Sequence, residues 1–162
     1  MRGGLWVLNI MAFVWGAAGI LVAHAPLWWL AVPAILSVAS LLRAQRATRG
    51  RAPHVEGAHV GRLVGIWTGI EGVAIFLAAN FLINLHRPEA VMPAIAIIVG
   101  LHFLPLAKGI PVRLYYATGA ALTAVGAVAL VAPPWHLPLA TGATAALVLW
   151  LSSAALVRRN AA

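Results

Sequence analysis

The sequence predicts an all-α integral membrane protein of six transmembrane helices, built as three related hairpins with both termini on the cytoplasmic side. Three observations predict it. The chain of 162 residues is 63% hydrophobic and only 9% charged, with mean hydropathy +0.96, outside the range of a soluble globular domain. Six apolar stretches each approach the roughly 20 residues that cross a bilayer core. The basic residues fall almost entirely on one side of those stretches. Six spans consume most of the chain, so residues 1–162 read as a single membrane domain with hairpins at 5–42, 63–107 and 114–157.

The first span, 5–25, begins like a signal peptide: Arg2 precedes an apolar run that closes on Ala23-His24-Ala25, a small-x-small pattern. The run is longer than a signal core, and Pro26 would follow the cut directly, so it reads as an uncleaved first helix. The second and fourth spans, 27–42 and 90–107, carry Pro33 and Pro105. Proline removes a backbone donor, and a packed membrane bundle absorbs the resulting kink. The spans at 63–85, 114–132 and 139–157 are uninterrupted.

Orientation follows from charge. With both termini inside, Arg2, Arg43, Arg46, Arg49, Arg51, Arg62, Lys108, Arg113, Arg158 and Arg159 are cytoplasmic, and only Arg87 lies outside. That asymmetry is what the positive-inside rule demands of an even number of spans, and it points to a bacterial inner membrane. The loop 43–62 sets five arginines against Glu56, which suits anionic lipid headgroups. Gly50, Pro53, Gly57 and Gly61 make it a connector poor in regular structure. The net charge of +8 is spread over helix ends rather than a folded face, so no nucleic acid is expected as a partner.

Each hairpin turns at the outer surface through one motif: His24-Ala25-Pro26, His86-Arg87-Pro88 and His136-Leu137-Pro138. Pro33-Ala34-Ile35 and Pro93-Ala94-Ile95 follow the first two copies, and glycine-rich runs around Gly16, Gly69 and Gly119 precede all three. Such self-similarity marks an internal repeat. Three glycine-rich hairpins in so short a chain resemble the HdeD-like group of small bacterial inner-membrane proteins, and the resemblance implies a role in acid or envelope stress. The run Gly100-Leu101-His102-Phe103-Leu104-Pro105-Leu106 also resembles an uncharacterised bacterial membrane family. Neither likeness brings a functional residue.

His24, His86 and His136 on one side of the membrane raise a metal site, since three imidazoles can hold zinc with one position open. The competing reading is that they serve the helix ends, with proline two residues on where its missing donor costs nothing. No cofactor is expected. Without cysteine the chain has neither disulfides nor thiolate ligands, and a bis-histidine haem would need two histidines at matched depth on facing helices.

Glu71 is the only carboxylate within a span, where a charge costs several kcal/mol unless paired, protonated or hydrated. It lies about 12 Å from the start of its span, and His102 lies about 9 Å from Lys108 on the following antiparallel helix, so the two meet at similar depth. Asn9, Trp67 and Thr118 fall in the same half of the membrane, with Ser37, Ser40, Thr123, Ser152 and Ser153, and together they suggest a polar chamber open to the cytoplasm. The alternative is a hydrogen-bonded pair that only locks two helices, with Trp67 as core filler. Gly61, Gly65, Gly69 and Gly72 form a separate stripe for close packing against another helix, in this chain or in a second copy. Asn80 and Asn84 extend that side as interhelical hydrogen-bond formers. Trp6, Trp28, Trp29 and Trp135 mark the interfaces, with Trp150 deeper in the last span.

A small transporter or channel-like subunit, acting as an oligomer, is the leading expectation. A non-catalytic membrane protein that binds lipid or a partner protein is the alternative. One glutamate and one histidine are too few to name an enzymatic reaction.

Overall fold

The computed structural model describes residues 2–47, 58–110, 112–131 and 137–161, and within them there are helices and no strands. Six are α-helices: α1 (Arg2–Val22), α2 (Ala31–Ala47), α3 (Ala58–Asn84), α4 (Val91–Gly109), α5 (Leu114–Val131) and α6 (Leu137–Ala161). Each is long and apolar enough to cross a membrane, α2 and α4 together with the short 3-10 turns at Leu27–Leu30 and Pro88–Ala90 that lead into them. Pro33 does not interrupt its helix: it sits in the first turn of α2, where the missing N–H has no intrahelical partner to lose. Pro105 lies inside α4, which continues to Gly109. The connector is shorter than the composition of 43–62 suggests, because α2 runs on to Ala47 and α3 starts at Ala58. The Arg43-Ala44-Gln45-Arg46-Ala47 segment is made of good helix formers, and the breakers Gly50, Pro53 and Gly57 lie beyond it, outside the described residues.

The repeat is visible in backbone geometry. α1 and α3 end alike: the His24 N–H donates to the Leu21 carbonyl and the Ala25 N–H to that of Ile20, while the His86 N–H donates to the Ile83 carbonyl and the Arg87 N–H to that of Leu82. Both are Schellman caps. The two histidines occupy the left-handed position, with φ of 51° and 56°. That position usually takes glycine, and histidine is among the few L residues that tolerate it. A short 3-10 turn follows each cap, at Leu27–Leu30 and Pro88–Ala90, before the next helix. The turn containing His136 lies outside the described residues.

α1 pairs closely with α6, and α4 with α5; α6 also meets α5, α4 and α2. Glycine permits the closeness. A Cβ added to Gly142 would lie 2.7 Å from Gly19 Cα and 2.6 Å from the Trp15 carbonyl. One added to Gly16 would lie 2.7 Å from Pro33 Cβ, which seats α2 against α1. The buried core gathers Leu5, Leu8, Ala12 and Trp15 of α1, Met92 and Ala96 of α4, Leu122 of α5, and Ala145, Ala146, Leu149 and Leu156 of α6. α3 supplies none of it. This helix packs chiefly on α4, and none of its apolar window is buried.

Candidate functional site

Two polar sets lie among the apolar side chains, each held by different helices. The first radiates from one turn of α6. Trp150 Nε1 donates to Ser37 Oγ of α2 at 3.0 Å, Ser152 Oγ meets Thr118 Oγ1 of α5 at 2.7 Å, and Asn9 Nδ2 of α1 donates to Ser153 Oγ at 2.9 Å. Three residues of one helix therefore tie three other helices to it. The hydroxyl pair has two equivalent arrangements. Thr118 can donate to the Leu114 carbonyl while accepting from Ser152, or Ser152 can donate to that of Val148 while accepting from Thr118. Thr123, expected in the same chamber, bonds the Gly119 carbonyl of its own helix at 2.9 Å, the usual alternative for a buried hydroxyl.

The second set is the Glu71 and His102 pair, at the seam of α3 and α4. The register is fixed at the chain-termini end of the bundle, where the Leu63 side chain covers Gly109. Eight residues along α3 from Leu63 is about 12 Å, and seven back along α4 from Gly109 is about 10.5 Å, so Glu71 and His102 arrive side by side. His102 Nε2 lies 3.7 Å from Glu71 Oε2, with 10% and 17% of the two side chains exposed. That is ion-pair range and longer than a hydrogen bond. The Trp67 backbone lies beside the imidazole, and Nδ1 is buried with no hydrogen-bond partner. Leu63, Trp67 and Glu71, spaced by four, thus make one stripe toward α4. Phe103, next to His102, meets it edge-on with centroids 6.2 Å apart and packs on Tyr115 of α5 at 5.7 Å.

The structure therefore brings Glu71, His102 and Trp67 together and places Asn9 and Thr118 on the α6 set. The role of Ser153 as the partner of Asn9 was not legible in sequence, because four of the six spans carry serine or threonine and only the packing of α1 on α6 selects the pair. Gly61, Gly65, Gly69 and Gly72 face open space: a Cβ on any of them would meet nothing within 4 Å. Asn80, on the same side of α3, is exposed and bonds only the Phe76 carbonyl one turn back, at 2.8 Å. His24 and His86 cap their helices through the backbone, and among the described residues no three histidine, aspartate or glutamate side chains converge on a common point.

No curated protein and no solved structure matches the chain. A model of a protein family does, over residues 2–159. With nearly the whole chain matched, the protein belongs to that family, DUF7010, which is described as a family of unknown function.

Proposed function

We propose that this chain is a small multi-pass protein of a bacterial inner membrane, with its termini in the cytoplasm, and that it works as a transporter or channel-like subunit. Glu71 and His102 form its ligand- or proton-binding site. The observation that carries this reading is the 3.7 Å approach of a carboxylate and an imidazole inside helices otherwise apolar enough to span a bilayer. Ionisable groups at such depth are costly and mark pathways more often than they serve packing. The seam between α3 and α4 also suits movement, since α3 has little else to hold it. Proteoliposomes loaded with a pH-sensitive dye test the reading. Protein-dependent proton movement that Glu71→Gln abolishes, with the variant still folded, supports it; a Glu71→Gln variant that conducts normally sinks it.

A second reading, a non-catalytic protein that binds lipid or a partner protein in envelope or acid stress, draws on other features. The likeness to the HdeD-like group favours it, as do the arginines at the termini end, which suit anionic headgroups. The open glycine stripe of α3 suits a second helix and so a homo-oligomer. Elsewhere in this bundle glycine lies where helices touch; in α3 the same residue type has no neighbour inside the chain. Cross-linking of the lipid-embedded protein through cysteines placed at Gly65 or Gly69 separates a second copy from a lipid-facing surface.

A further inference from the structure

We propose that Nδ1 of His102 is the water-facing proton acceptor of this site, and that protons reach Glu71 through the imidazole ring. The inference rests on the transport reading above and adds the substrate, a proton, and the atoms that handle it. A neutral imidazole carries one N–H donor and one bare nitrogen acceptor. Nε2 faces the carboxylate oxygen Oε2 of Glu71, an acceptor, so Nε2 carries the hydrogen. Nδ1 is then a lone pair, buried and without a partner. A buried acceptor left bare costs about 1–3 kcal/mol. Among the described residues no donor lies within hydrogen-bond reach of it, and the ring that neighbours it is the apolar Phe103. The group that satisfies Nδ1 must be mobile and small, and water fits.

The surroundings leave the proton one onward route. α3 presents Glu71 to the ring. α5 presents Tyr115, whose ring is tilted against that of Phe103. α6 carries no titratable side chain before Arg158, and Lys108 of α4 is exposed. A proton delivered by water bonds to Nδ1 and makes an imidazolium. The Nε2–H bond then breaks, its electron pair staying on nitrogen, and the proton bonds to Glu71 Oε2. The ring is left neutral with its hydrogen on Nδ1, and the reverse transfer or a ring flip resets it. No electron changes hands.

Ring-15N histidine labelling of the full chain in lipid tests the assignment by solid-state NMR, with the His102 signals identified by their loss in His102→Gln. The expected spectrum at neutral pH shows a neutral ring protonated at Nε2, with magnetisation passing from water protons to Nδ1. A ring protonated at Nδ1, or an Nδ1 with no water contact, overturns the proposal. Because the spectrum is read without any flux, the two readings fail separately. The expected spectrum from a protein that moves no protons refutes transport while upholding the acceptor; proton movement with the other tautomer refutes the relay alone. In the dye assay, His102→Gln keeps an amide near Nε2 but has nothing to accept at Nδ1, and its proton movement falls to the protein-free background.

Discussion

Gly100 and Gly119 place α4 and α5 in backbone contact: a Cβ on Gly100 would lie 2.7 Å from the Gly119 carbonyl oxygen, and one on Gly119 would lie 2.6 Å from that of Gly100. The obstacle on each side is backbone, so neither helix can yield without moving whole. Gly119→Ala is expected to cost about 1–3 kcal/mol, the range for overpacking, seen as a lower melting temperature in detergent.

The glycines of α3 predict the opposite. Gly65→Ala and Gly69→Ala meet nothing in the chain, and alanine favours a helix interior over glycine by about 1 kcal/mol. The monomer should be as stable as before or more so. If a second copy covers the stripe, the same changes lower the dimer fraction in cross-linking, where Gly119→Ala leaves the contact surface untouched.

His24 and His86 hold left-handed backbone conformations that cost an L residue about 1–2 kcal/mol. His24→Gly and His86→Gly should therefore leave stability unchanged or raise it. A marked loss in the melting temperature would mean that the imidazoles themselves bind something.

The α6 set should behave as a structural unit. Thr118→Val and Ser152→Ala each remove one side of a buried contact, and a double-mutant cycle should show coupling of about 0.6 kcal/mol, typical of such pairs in membrane bundles. Asn9→Leu should cost more than either, since Asn9 is buried and bonds both the Leu5 carbonyl and Ser153.

Much of this was legible in the chain, and the residues show why. Hydropathy located six helices because a spanning segment must be apolar along its whole length. Counting residues from the span ends brought Glu71 and His102 to one depth, because rise per residue is constant. What periodicity could not supply was which helix lies beside which. The polar residues Asn9, Thr118 and Ser152 share a depth with Glu71, and a single chamber was the natural expectation. Tertiary packing instead gives them to α6 and leaves Glu71 at the edge with α4. The histidine turns show the same limit from another side. The repeat was plain in sequence, but the left-handed backbone that uses the histidine was not, since glycine is the residue expected there.

On the reading proposed above, Glu71 and His102 are a working site rather than a lock between two helices. The most direct measurement is a structure of the protein in lipid, at a resolution that shows ordered water and bound molecules around Glu71. A hydrated passage, or non-protein density, that reaches the pair from the chain-termini end of the bundle is the expected result. A dry, closed contact between α3 and α4 with no water at Nδ1 of His102 would contradict it and make the pair architectural.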